Sequence, residues 1–349
     1  MNTTENNNTP PNIPPRPHNA HKGTCGTVAV LGACAARQPQ PLTMLGGPVL
    51  TARAALRAGA GLAKLLLPDT LTTNALTALA EATAIPLPTN SAGHIDTQTA
   101  LPILDNTLRS LNPSTRSTAG IGVLAIGPGL GPPTEHTRAL VMRAITQDHA
   151  PIVIDADALN ALATIPSPNL DFHAHAIITP HPGEARTLAD AFNLSIKPTA
   201  DNDDERHNAA QTLAAHLGCI CILKSHRTTI ASPVEALTLD AEPNPALATA
   251  GAGDVLTGVV AACIAQFVRP ALLMGEHSRA SQDLGGLSLL DAAHTATNIH
   301  ATAARLWANA TTPPRHAGLL ASELTDHLPL AIATLRDPAR IAPHAVPKH

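Results

Sequence analysis

From Lys22 onward, short runs of β-branched and leucine residues alternate with alanine- and leucine-rich stretches of helical spacing. The runs are Thr27–Leu31, Ala63–Leu67, Val123–Ile126, Ile152–Ile154, Ala176–Ile178, Cys219–Leu223 and Thr228–Ala231. Between them the spacing predicts helices over Val49–Arg57, Arg138–Thr146, Ala185–Asp190 and Ala209–Leu217. Strands that are apolar throughout and separated by helices predict a mainly parallel sheet covered on both faces, a three-layer α/β/α sandwich. Loops that bind a ligand are then expected at the carboxyl ends of the strands.

No Pro/Gly linker interrupts this alternation, so one domain is expected over residues 21–335, with a polar, Gly-containing loop insertion at 275–288. Residues 1–20 are rich in Asn, Pro and Thr and are expected to be a disordered tail, and residues 336–349 a second loose tail. Of the 349 residues, 44% are apolar, ample for a large core. With three Phe, one Trp and no Tyr, that core must be packed from Ala, Leu, Ile and Val, and aromatic stacking carries little ligand recognition. A formal charge of −4 with no basic stripe argues against nucleic acid as a partner. The apolar stretch Val255–Val268, broken by Thr257, Gly258 and Gln266, is too short for a bilayer, so no membrane partner is expected. No export signal is read at the N-terminus, and the five cysteines show no pairing or zinc spacing. They read as buried reduced thiols in a cytoplasmic protein.

Five segments carry candidate chemistry. In Ala250-Gly251-Ala252-Gly253-Asp254, small residues open a helix, leaving N–H groups that favour an anion, and Asp254 is placed to take a proton from a hydroxyl. The competing reading makes Asp254 a helix cap. In Thr179-Pro180-His181-Pro182-Gly183-Glu184, His181 is a candidate substrate donor and Glu184 a candidate holder of water on Mg²⁺, against a turn residue and a helix-start carboxylate. Lys224 to Thr228 forms a turn suited to a nucleotide phosphate, although a strand-end lysine alone is more often a solvated charge. Gly127 to Gly131 permits close approach of a ligand to the backbone. Asp155 and Asp157 offer two carboxylates for water-mediated Mg²⁺ contact, with Asp157 equally readable as an N-cap.

Taken in order, these segments resemble the ADP- or ATP-dependent NAD(P)H-hydrate dehydratase family, the carbohydrate-kinase-like branch of the ribokinase superfamily. Further similar segments are His21-Lys22-Gly23, Gly26 to Gly32, Ala54 to Leu62, Asn244 to Ala250, and Leu320 to Leu324. The resemblance implies a ribokinase-like fold and phosphorylation of the 6-hydroxyl of hydrated NADH or NADPH by ADP or ATP, followed by loss of phosphate. By the same resemblance Asp254 activates the hydroxyl. Gly47, Gly129, His181 and Asp254 face the hydrate. Lys224, Ser225, His226, Arg227, Thr228, Gly251 and Gly253 hold the adenine nucleotide, and Mg²⁺ bridges its phosphates near Glu184, through water. ADP is favoured over ATP, and a homotetramer is implied. The epimerase domain fused to some members is expected to be absent, leaving action on the S epimer alone. Ser225, Gly47 and Ala250 depart from the family pattern, each adding or removing one small group.

Two other readings compete. A ribokinase-like small-molecule kinase acting on a hydroxymethylpyrimidine or thiazole alcohol uses the same anion hole. A catalytically silent nucleotide-binding protein on this scaffold is less compatible with Asp254 and its flanking glycines.

Overall fold

The computed structural model describes residues 11–112, 120–166, 170, 172–199, 202–238, 243–269 and 286–337. The predicted runs form β1 (Thr27–Leu31), β4 (Leu62–Pro68), β6 (Gly122–Ile126), β7 (Ile152–Ile154), β8 (Ala176–Ile178), β9 (Ile220–Leu223) and β10 (Thr229–Ala231). Four more strands join them, β2 (Cys34–Ala36), β3 (Leu42–Met44), β5 (Thr83–Leu87) and β11 (Ala236–Thr238). The main sheet runs β11-β10-β9-β8-β7-β6-β1-β4-β5. Its pairings are parallel from β5 through β9 and antiparallel at β9–β10 and β10–β11. β2 and β3 form a separate antiparallel ribbon.

Successive residues of each strand point to opposite faces, and the core divides accordingly. Val28, Val30, Leu65, Val123, Val153, Ile177 and Ile222 face one helical layer. That layer holds α1 (Gly46–Arg57), α8 (Ala252–Phe267), α9 (Leu289–Ala308) and α10 (Ala321–Arg336). Ala29, Leu31, Leu124, Ile126, Ile154, Ile178 and Leu223 face the other, which holds α3 (Thr97–Leu111), α4 (Glu135–Ile145), α5 (Asp157–Leu162), α6 (Pro182–Phe192) and α7 (Asp203–Leu217). A short helix, α2 (Thr72–Ala78), leads into the edge strand β5. The architecture is the expected three-layer α/β/α sandwich.

Every residue of α8 from Val255 to Ala265 is buried, because the helix is packed against α1 on one side and α9 on the other. A helix apolar all round has no other stable place in a globular domain. Its first turn is thereby fixed rigidly beside the strand ends. No helix among the described residues is long and apolar enough to cross a membrane.

Residues 11–20, expected to be part of a disordered tail, are placed against the core. Ile13 is buried in the layer of α1, α8 and α10. Arg16 donates to the Gly59 carbonyl and to Gln266 Oε1, and Arg336 donates to the Pro14 carbonyl at 2.8 Å. One apolar side chain and two arginine clips hold a segment whose composition alone argued against order. Residues 1–10 and 338–349 lie outside the described residues, as do 270–285, most of the expected insertion. Ser288, at its end, is the N-cap of α9.

Candidate active site

Four loops leave the carboxyl ends of the adjacent strands β6, β7, β8 and β9, side by side. The strand ladder continues into them: Asp155 N–H donates to Ile126 O, Thr179 N–H to Ile154 O, and Lys224 N–H to Pro180 O. The N-termini of α1 and α8 close the site from the opposite helical layer.

Asp254 lies in the first turn of α8, whose N-cap is Gly251 with φ +86° and no side-chain cap. The capping reading of Asp254 is therefore not realised, and its carboxylate oxygens accept no hydrogen bond among the described residues. The first helical bond of α8 runs from Val255 N–H to Gly251 O, and Ala252 N–H is used by Thr249 O. The N–H groups of Gly253 and Asp254 are left without a backbone acceptor among the described residues, which makes this pole attractive to anions. A Cβ on Gly47 would lie 3.2 Å from Asp254 Oδ1 and 3.3 Å from Gly129 N, so Gly47, Gly129 and Asp254 converge. Thr51 Oγ1 stands 3.0 Å from Gly47 O and 3.1 Å from Asp254 O, bracing α1 against α8.

Behind Asp254 lies a buried charge network. Lys224 Nζ donates to Asp155 Oδ1 at 2.6 Å and lies 3.9 Å from Glu184 Oε2. The second oxygen of Asp155 accepts from the Thr257 hydroxyl at 2.7 Å. A Cβ on Gly253 would sit 3.4 Å from Lys224 Nζ, which places the ammonium over the anion hole. Burial pushes the Asp254 carboxyl up to about 7; the Asp155 charge adds to this, Lys224 opposes it and Asp157 adds a little more. Burial likewise raises Glu184 to about 7, with Lys224 opposing. A proton acceptor tuned close to neutrality is what general base catalysis at physiological pH requires.

Asp155 and Asp157 are turned apart by the residue between them. Ala156 has φ +50° and ψ −124°, a backbone state that favours glycine, within a turn closed by Ala158 N–H donating to Asp155 O. Gly127 permits that turn, since a Cβ there would meet Asp155 O at 1.8 Å. Asp157 is the first residue of α5 rather than its cap, and its carboxylate accepts from Gly131 N–H at 2.9 Å.

His181 is the N-cap of α6, and its Nδ1 accepts from Gly183 N–H and Glu184 N–H. Glu184 Oε2 accepts in return from His181 N–H at 2.8 Å, completing a capping box. With Nδ1 an acceptor, the imidazole carries its proton on Nε2, which lies 3.4 Å from Glu184 Oε1. Burial, with Lys224 nearby, lowers the His181 pKa and holds the ring neutral. In the turn after β9 the Ser225 hydroxyl donates to Arg227 O, and Thr228 Oγ1 donates to Ser225 O. His226 is exposed, and Arg227 pairs with Asp203 at 3.3 Å. Asp254, Gly253, Lys224, Gly47, Gly129 and Glu184 are thus drawn together, while the Arg227 guanidinium is engaged at the start of α7.

Thr51 and Thr257, and His300 on α9, escaped the sequence reading. Each lies in an alanine-rich helix, with nothing in its spacing to mark it.

These features can be set beside known proteins. The profile of the NAD(P)H-hydrate dehydratase family matches residues 42–329. The chain belongs to the NAD(P)H-hydrate dehydratase family. A family member from Neisseria meningitidis, an ADP-dependent (S)-NAD(P)H-hydrate dehydratase, is 32% identical over 258 residues, 72% of this chain and 74% of that protein. The bifunctional NAD(P)H-hydrate repair enzyme of Moorella thermoacetica is 33% identical over 260 residues, 74% of this chain and 44% of that protein. The chain spans about half the length of such bifunctional relatives. The crystal structure of the ADP/ATP-dependent NAD(P)H-hydrate dehydratase of Bacillus subtilis, co-crystallized with ATP and Mg²⁺, superposes with a TM-score of 0.63 at 26% identity. That match covers 93% of this chain and 95% of the other.

Proposed function

We propose that this chain dehydrates the S epimer of hydrated NADH and NADPH at the expense of ADP or ATP, with ADP preferred. The observation that carries the reading is the placement of Asp254. A carboxyl raised to about 7 stands at an anion-binding helix N-terminus, beside a largely buried lysine and two glycines, Gly47 and Gly129, that bring backbone close to it.

In the first step the ring 6-hydroxyl attacks the terminal phosphorus of the nucleotide. An O–P bond forms, the bond to the leaving nucleotide breaks, and Asp254 takes the hydroxyl proton. The N–H groups of Gly253 and Asp254, with Lys224, stabilise charge on the transferring group. In the second step the C6–O bond breaks, phosphate leaves, and loss of the neighbouring C5 proton restores the ring double bond. His181 offers Nε2–H to the substrate, and Gly47 and Gly129 shape the floor beneath it. Ser225 to Thr228 and Gly251 border the nucleotide.

The site also suits Mg²⁺. Asp155, Asp157, Glu184 and Asp254 outnumber the one lysine, and all are hard oxygen donors. No cluster among the described residues is built to ligate a metal directly. Mg²⁺ retains much of its water and binds through few carboxylates together with phosphates, so Glu184 would hold it through water. Bound there, it would neutralise phosphate charge.

Two further expectations belong to this proposal. A cytoplasmic setting is supported by five free, buried cysteines. A homotetramer is tested by sedimentation.

The deciding assay mixes the protein with NADH hydrate, Mg²⁺ and ADP or ATP, and follows the reduced-nicotinamide band near about 340 nm beside an Asp254→Asn control. Recovery that is lost in the control supports the dehydratase. A stable phosphorylated product with no recovery would replace it with a small-molecule kinase.

A further inference from the structure

We propose that His300, a residue of α9, is a positioning residue for the anion hole, holding the peptide unit between Ala252 and Gly253 through its ring Nε2. The inference rests on the nucleotide-binding reading of that pole.

His300 is 8% exposed and lies on the face of α9 that packs against α8. Its Nε2 stands 2.9 Å from the Ala252 carbonyl oxygen, 48 residues away in sequence. A carbonyl oxygen can only accept, so the ring is the Nε2–H tautomer and donates. Burial lowers the His300 pKa to about 4, with the Lys224 charge acting in the same direction, and the imidazole is neutral at physiological pH. The bond therefore does not depend on a charged ring.

The Ala252 carbonyl and the Gly253 N–H belong to one planar amide and point in opposite directions. Fixing the oxygen fixes the hydrogen. Gly253 N–H is one of the two groups at this pole with no backbone acceptor among the described residues. Glycines flank Ala252 on both sides, so the plane is easily tilted even though its carbonyl also accepts the first ladder bond inside α8. His300 adds a second hold on that oxygen from the neighbouring helix. A donor on the carbonyl also polarises the amide, strengthening the N–H as a partner for an anion, since hydrogen bonds in series reinforce one another. The nearest phosphate never touches His300, yet the geometry it meets is set there.

The test compares full-length wild type with His300→Leu, His300→Gln and His300→Asn. Glutamine places an amide NH₂ near the position of Nε2, whereas asparagine is too short to reach and leucine cannot donate. Binding of ADP and of adenosine is measured by calorimetry, kcat and KM by recovery of the reduced nicotinamide, and folding by thermal melts. Loss of ADP affinity and kcat by about tenfold or more is expected in the leucine and asparagine variants. Adenosine binding and KM for the hydrate should be unchanged, and glutamine should restore ADP binding. If leucine unfolds the chain, asparagine against glutamine makes the same comparison. ADP binding equal to wild type in a folded leucine or asparagine variant overturns the proposal, as does equal loss of ADP and adenosine. A wild type that binds ADP without restoring the nicotinamide band overturns the dehydratase reading alone.

Discussion

Lys224 and Asp155 meet at 2.6 Å across the carboxyl ends of two strands, 69 residues apart in sequence. Asp155 is 1% exposed, and its other oxygen is held by Thr257. Removing the carboxylate would leave a largely buried ammonium with only Glu184, at 3.9 Å. Asp155→Ala is expected to lower unfolding stability by about 3–5 kcal/mol, read from the urea midpoint. Thr257→Val, which removes only a neutral donor, should lower it by about 1–2 kcal/mol.

The acid limb of kcat/KM, which reports the free enzyme, is expected near the Asp254 pKa of about 7, with activity rising as pH increases through it. Because Asp155 raises that value, Asp155→Asn should move the limb to lower pH. An unmoved limb in the pH–rate profile would remove Asp254 from the role of base.

The same carboxyl has a stability signature of fixed sign. Its folded pKa lies above the ordinary 3.8, so the folded state holds the proton more tightly than the unfolded chain does. The cost of burying the charged form appears as pH rises from about 4 and is complete above about 7. Asp254→Asn should therefore melt higher than wild type at pH 8, with the difference vanishing near pH 4. Catalytic competence is held here against stability.

Ala156 offers a gain from the opposite side. A non-glycine residue at φ +50° and ψ −124° carries about 1–3 kcal/mol of strain, more than the roughly 0.5–1 kcal/mol of extra chain entropy that glycine loses on folding. Ala156→Gly should raise the urea midpoint while keeping kcat within about twofold, since both carboxylates retain their partners.

Ile13 belongs to the buried cluster that includes α1, α8 and α10. Ile13→Ala is expected to cost about 2 kcal/mol, at the low end for buried isoleucine. Gln266, which meets Arg16, lies in the last turn of α8, three turns from Asp254. The kcat of the variant should be unchanged.

Seven strands of the main sheet were legible because β-branched runs bounded by turn residues leave a local trace. β2 and β3, Cys34–Ala36 and Leu42–Met44, left none, being short with no periodic run. β5 contains Pro86, which argues against a central strand and is admissible only because β5 lies at the sheet edge. The site divides in the same way. Gly127 to Gly131, Asp155, His181, Lys224 and Asp254 announce themselves through neighbours in sequence. Thr51, Thr257 and His300 act across 203, 102 and 48 residues, distances that only the packing of α8 against α1, β7 and α9 brings together.

Arg336, at the end of α10, reaches back to the carbonyl of Pro14, so the first and last parts of the described chain lie side by side. The described polypeptide is almost a closed loop, joined there by an arginine. A domain tethered at one neck can be carried by a longer polypeptide without being stretched, or have its ends joined and be opened elsewhere, with its nine-stranded sheet keeping the same order.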